Sequence, residues 1–280
     1  MKALLLAAAL LMSVQAQAQQ KLFDVHVHLH HAEASLREYL AQVKGANLPV
    51  AGFGAMWFGG GNQAPAGEIT KTREHNDDHI ALAARYPGMM PIATVHPYDG
   101  ADAIAELERV AGRGVKVLKL HPHTQKFDAS DPRVLALVQR AGALGVVVLM
   151  DNANILPGDS EKLFNLAVNA PKTKFIFAHI GGLNFRFWNI LALARTAENF
   201  FADNIYFDLS GMAILAAGSP LQNEFVWTLR NVGVDHVLLG SDFPQMTLAQ
   251  TVAALGRLGL TPDERAKIAY GNAQRLFGLN

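Results

Sequence analysis

The sequence predicts a single α/β domain, a (β/α)8 TIM barrel. Three observations carry this: eight short apolar runs recur at intervals of a few tens of residues, helical periodicity fills most of the gaps, and no linker or low-complexity stretch interrupts the chain beyond Gln20. At 280 residues the length would suit about two average domains, but α/β barrels of roughly 200 to 250 residues fold as one.

The runs are, in order, Leu22 to Leu29, Leu48 to Phe53, Met90 to Val95, Val115 to Leu120, Val146 to Met150, Lys174 to Ala178, Ile205 to Leu209 and Val237 to Leu239. Each is short enough for a strand buried on both faces, as parallel sheets require. Ala101 to Ala111, Pro132 to Ala143 and Ser160 to Val168 show helical spacing, some of them opened by Asp or Ser in N-cap position. A doubly wound open sheet is the alternative fold. Its dinucleotide-binding form is disfavoured because no Gly-x-Gly-x-x-Gly follows an early strand. Gly59-Gly60-Gly61 has no Lys-Ser/Thr behind it, so it reads as a mobile loop and not a phosphate cradle.

Composition narrows the chemistry. Lys plus Arg (24) equals Asp plus Glu (24), which leaves no excess positive charge for a nucleic acid or an anionic membrane surface. There is no cysteine, so a metal would have to be held by His, Asp or Glu, and eleven histidines are available. Lys2, the apolar run Ala3 to Met12 and Ala16-Gln17-Ala18 form a signal-peptide pattern over residues 1–18. The run is too short to span about 30 Å of hydrocarbon. Cleavage after Ala18 is expected, with the barrel in residues 19–280, no stable membrane anchor, and export to a periplasm.

In a barrel the reactive groups stand at the carboxyl ends of the strands. The first run ends Asp24-Val25-His26-Val27-His28, which sends two imidazoles to one face where they can clamp a divalent ion, with Asp24 behind them. His30 and His31 are expected at solvent or at the site entrance. Lys119 and His121 share a face after the fourth run and are assigned to substrate binding. Lys119 could pair with a substrate carboxylate, bridge two metals after carboxylation, or simply snorkel at the rim. Asp151 after the fifth run either caps a turn or faces the site. His179 precedes Gly181-Gly182, and Asp242 follows the eighth run, where a carboxylate needs a cation or donors to stay ionised.

Taken together, Asp24 to His28, Asn76 through Pro97, Lys119-Leu120-His121-Pro122, Ala178 to Gly182, Gly240-Ser241-Asp242-Phe243-Pro244 and Gly271 to Phe277 resemble the amidohydrolase superfamily. Within it, they resemble the amidohydrolase-related subgroup of metal-dependent barrel hydrolases and decarboxylases. The resemblance implies that His26, His28 and Asp242 are metal ligands, that Asp242 also accepts a proton from metal-activated water, and that His179 is a further ligand or the catalytic acid/base. The family usually places a histidine ligand where this chain has Asp151, and an oxygen donor there tilts the single divalent ion from zinc, the first expectation, towards manganese. The leading expectation is an exported hydrolase of a small amide, ester or lactone. The alternatives are a non-oxidative decarboxylase of an aromatic or unsaturated acid, and a binding protein that kept the barrel without its chemistry.

Overall fold

The computed structural model describes residues 20–279. The expected signal peptide, residues 1–18, lies outside the described residues. Eight parallel strands form one sheet in sequence order: β1 (Leu22–His28), β2 (Val50–Met56), β3 (Met89–Thr94), β4 (Val117–Leu120), β5 (Val147–Met150), β6 (Phe175–Phe177), β7 (Ile205–Asp208) and β8 (Val237–Leu238). All eight match the apolar runs of the sequence. The barrel closes where the chain beyond β8 returns to β1: Val25 N donates to Leu239 O (2.9 Å), Asp242 N to His26 O (2.9 Å) and His28 N to Phe243 O (2.8 Å).

Around this barrel run α1 (Glu33–Gly45), α2 (Ile69–Ala84), α3 (Ala101–Gly112), α4 (Pro132–Ala143), α5 (Asp159–Asn169), α6 (Ile190–Ala194), α7 (Gln222–Val232) and α8 (Leu248–Arg257), with shorter helical turns between them. Asp131 caps α4 as expected, its carboxylate accepting from Arg133 N at 2.8 Å. The starts of α3 and α5 differ from expectation. Gly100 and Gly158 occupy the N-cap positions with positive φ, because both turns need a left-handed residue more than a side-chain cap. Between β6 and β7 most of the connection is an irregular 3-10 segment, Ala178–Asn189, and only a short α6 follows.

The period of two in the strands sorts the core. Leu118, Leu120, Val148, Met150, Phe175, Phe177, Phe207 and Leu239 pack in the large cluster shared with helices, whereas Val117, Leu149, Ile176 and Leu238 pack in a second cluster with the C-terminal residues Leu276 and Phe277. One pleat beyond Val117, Leu149 and Tyr206 come Lys119, Asp151 and Asp208. The alternation that fills the core therefore delivers three charged groups to the catalytic end.

His79 on α2 is buried and bonds Ala55 O through Nε2 at 2.7 Å. Burial pushes its pKa down to about 4. The folded state keeps this ring neutral, while the unfolded chain protonates it below its ordinary value of about 6.5, so stability is full above that pH and declines as pH falls towards 4. We expect urea unfolding to show up to about 3 kcal/mol lost from this group over that window. His79→Gln, which can still donate to Ala55 O, should flatten that part of the pH dependence.

Candidate metal centre

His26 and His28 project from β1 with their Nε2 atoms 3.1 Å apart. Asp242 Oδ1 stands 3.5 Å from the first and 3.4 Å from the second. These three side chains are the group among the described residues whose ligand atoms lie close enough to hold one ion. The chemistry of the donors fits a cation. His26 Nδ1 faces Asp208 Oδ2 at 2.9 Å, and His28 Nδ1 faces Phe58 O at 2.5 Å. Neither oxygen can donate, so each imidazole carries its proton on Nδ1 and turns a bare Nε2 lone pair towards the other and towards the Asp242 carboxylate. Three electron-rich atoms facing one another suit a divalent ion.

Asp242 holds its place through backbone geometry, with φ 63° and its N–H on His26 O. Burial would raise its pKa, but the neighbouring imidazoles of His28, His26 and His179 hold it below the usual value. Burial and the nearby Lys119 charge push His26 down to about 4, against the pull of Asp208. Lys119 is fully buried, its Nζ 3.4 Å from His26 Nε2. Burial lowers its pKa, opposed by Asp151, Asp242 and Asp208.

Asp151 and His179 form a second unit. Asp151 Oδ1 lies 3.3 Å from His179 Nε2 and 3.6 Å from His121 Nε2. Despite burial, its bond with His179 and the charges of His121, His179 and Lys119 hold Asp151 well below the usual carboxylate range. Burial pushes His121 down to about 3, with Asp151 opposing. For His179 burial acts downward but is outweighed by Asp151 and Asp208, so its pKa is pushed up to about 9. Its other nitrogen, Nδ1, faces Ser210 O at 3.0 Å. Both ring nitrogens of His179 therefore meet oxygen acceptors, the arrangement of an imidazolium.

His179 owes its position to an unusual turn. Residues 179–182 all have positive φ, at 59°, 42°, 84° and 55°. Two of them are non-glycine, which costs of order 1–3 kcal/mol each. A Cβ on Gly182 would overlap the Ala153 carbonyl oxygen, and one on Gly181 would come within 2.8 Å of Trp188 Nε1. Only glycine fits at either position.

The structure thus brings together every sequence-derived site residue: His26, His28, Lys119, His121, Asp151, His179 and Asp242 line one recess of about 190 Å3. His30 lies on its wall, and His31 is exposed. The glycine run at residues 59–61, expected as a mobile loop, includes a closed turn in which Gly59 and Asn62 exchange two backbone hydrogen bonds of 2.9 Å. Gly59 sits against His28 and His30, where a Cβ would collide with both rings. Sequence reasoning missed Asp208 and Ser210. Asp208 binds His26 Nδ1, His179 N (3.1 Å) and the Ser210 hydroxyl, and Ser210 Oγ lies 3.2 Å from His26 Nδ1 and 3.0 Å from His179 Nδ1. The available signal was a carboxylate inside the seventh apolar run, which needs donors to be buried.

A barrel with two strand-borne histidines and an aspartate at one end defines a class of metal-dependent enzymes. A family model described as amidohydrolase matches residues 23–279, and the chain belongs to the amidohydrolase family. A gamma-resorcylate decarboxylase of Polaromonas sp. is 24% identical over 123 residues, covering 39% of this chain and 36% of the relative, so the chain spans about a third of that protein's length. Among solved structures, 5-carboxyvanillate decarboxylase from Sphingomonas paucimobilis superposes with TM-score 0.73 at 17% identity, over 93% of this chain and 100% of the other. A dihydroxybenzoic acid decarboxylase from Polaromonas sp. JS666, solved with manganese and the inhibitor 2-nitroresorcinol, gives TM-score 0.65 at 17% identity, over 93% and 97%.

Because Asp208 and Ser210 fix the tautomer of His26, we expect Asp208→Asn and Ser210→Ala to weaken divalent-metal affinity by about 10- to 100-fold. Competition titration with a metal indicator measures this. Gly182→Ala should lower stability and distort the His179 turn, read as a loss of thermal midpoint.

Proposed function

We propose that this protein is a divalent-metal-dependent decarboxylase that releases carbon dioxide from an aromatic carboxylic acid without an oxidant. The relatives favour this over the hydrolase expectation, since the three named above are decarboxylases of aromatic acids. The observation that carries it is the His179–Asp151 pair beside the three-ligand group. A decarboxylase must deliver a proton to the carbon that loses its carboxyl group, and His179 holds a proton on each nitrogen between Asp151 and Ser210.

His26, His28 and Asp242 would hold the ion, manganese by analogy with the solved relative. When bound, it would supply positive charge that draws the carboxylate and a neighbouring phenolic oxygen of the substrate. Lys119 sits 3.4 Å from His26 Nε2 and orients the acid from the inner side. His179 gives its Nε2 proton to the ring carbon. The carbon–carbon bond then breaks, its electron pair stays on the ring, and carbon dioxide leaves. Asp151 holds the ring of His179 in line and stabilises its charged form. Hydrolysis of a small lactone is the second reading, favoured by Asp242 Oδ1, which is close enough to both imidazoles to keep and pass a proton.

With manganese-loaded protein and a panel of hydroxybenzoic acids, we expect carbon dioxide release that chelation abolishes. Lactone or ester turnover with no carbon dioxide from any acid would favour the hydrolase instead. His179→Gln should lower kcat by about 10² to 10⁴ with metal content unchanged. Asp151→Asn should act in the same direction and also keep the ion; loss of the ion would make Asp151 a ligand. Export is proposed on Lys2, Ala3 to Met12 and Ala16-Gln17-Ala18. Mass spectrometry of the protein from its native host should find a chain beginning at Gln19, and an intact Met1 would overturn it.

A further inference from the structure

The metal recess is small, about 190 Å3, and Phe58 is the one apolar side chain among its described lining residues. It suits a carboxyl group and the ring that bears it better than a longer carbon skeleton. A second recess of about 400 Å3 opens beside it. Asp151 lines both. The turn over 121–126 contributes to both, His121 and Thr124 lining the metal recess and His123 and Lys126 the second. The lining of the second recess includes the apolar side chains Phe127, Leu156 and Leu163, with Lys126 and the Lys162–Asp128 pair at 3.0 Å also among the lining residues. The same recess is lined by a polar pair, His123 Nε2 with Asp159 Oδ2 at 2.8 Å. Since Asp159 accepts the Nε2 proton, His123 keeps Nδ1, with no protein partner among the described residues, as an acceptor.

We propose that this second recess is a substrate subsite. It receives an aryl extension remote from the departing carboxyl group, packs it against Phe127, Leu156 and Leu163, and accepts a hydrogen bond from its terminal hydroxyl at His123 Nδ1. The proposal deepens the decarboxylase reading and rests on it for the acid end of the substrate. It assigns the β4 and β5 loops the choice of substrate, while the strand ends hold the chemistry. The polar metal recess binds the group that reacts, and the apolar side chains of the second recess supply the burial that the reacting group cannot.

Binding tests it, measured in the His179→Gln background, which should slow turnover and keep the ion, with the recess itself wild type or substituted. Manganese-loaded protein is titrated calorimetrically with three acids: a hydroxybenzoic acid, a biphenyl carboxylic acid, and the same biphenyl acid with a hydroxyl on the far ring. The wild-type recess should bind the hydroxylated biphenyl acid tightest. Leu156 is 56% exposed in the loop after β5, so Leu156→Trp can fill the recess without disturbing the core. It should weaken both biphenyl acids by about tenfold or more and leave the hydroxybenzoic acid unchanged. His123→Ala should weaken only the hydroxylated biphenyl acid, and His123→Gln, which retains an acceptor oxygen, should restore part of it. Equal effects on all three acids, no effect of either substitution, or no preference of the wild-type recess for the longer acids would overturn the subsite. If the binding pattern holds while the protein with His179 intact releases carbon dioxide from no acid, the decarboxylase reading fails and the subsite stands.

Discussion

The site depends on one seam. Where the chain beyond β8 meets β1, the buried carboxylate of Asp24 accepts from Ser241 N at 2.8 Å, His26 N at 3.2 Å and the Tyr39 hydroxyl at 3.1 Å. Burial raises its pKa to about 6, against those hydrogen bonds. The group therefore ties the last strand to the first with a polar contact in a place where water cannot compete. The seam closes the barrel, and in the same step it sets Asp242 beside His26 and His28. Candidate ligands more than two hundred residues apart in sequence become neighbours because the ends of one sheet are joined.

From that seam the charges separate into two neighbouring units with different chemistry. In one, His26 and His28 have their protons drawn to Nδ1 by Asp208 and Phe58 O, which leaves lone pairs to bind a cation. In the other, His179 lies between Asp151 and Ser210 and keeps both protons. Asp208 and Ser210 touch both units, so the orientations of His26, a candidate metal ligand, and His179, the proposed proton donor, rest on the same two side chains. Lone pairs aimed at one point on one wall and an imidazolium on the other are what the proposed loss of carbon dioxide from an aryl acid would use.

Conformational cost is concentrated at the same end of the barrel. The left-handed run at residues 179–182 and the positive φ of Asp242 stand in the loops that carry reactive groups, and the Trp188 side chain and the Ala153 carbonyl permit no wider residue at Gly181 and Gly182 respectively. The strands beneath are largely apolar, with register shifts confined to the pairing of β1 with β2 among those described. This division lets the scaffold hold its shape while the loops after β4 and β5 determine what fits beside Asp151.

The sequence by itself determined the barrel and most of its site. Eight apolar runs of strand length, separated by helical spacing, leave few ways to bury both faces of a parallel sheet, and His26, His28, Lys119, His121, Asp151, His179 and Asp242 were legible because polar residues at the ends of buried strands demand partners. Tertiary structure alone decided who those partners are. Asp151 reads from the sequence as a ligand, a cap or a substrate-facing group, and only the fold shows it 3.3 Å from His179 and 3.6 Å from His121; Asp208 passed unnoticed inside its strand until the fold brought His26 against it. A hydrogen bond between residues 182 positions apart leaves no local pattern in the chain: strand periodicity is set by neighbours in sequence, whereas tautomer, charge and recess shape are set by neighbours in space.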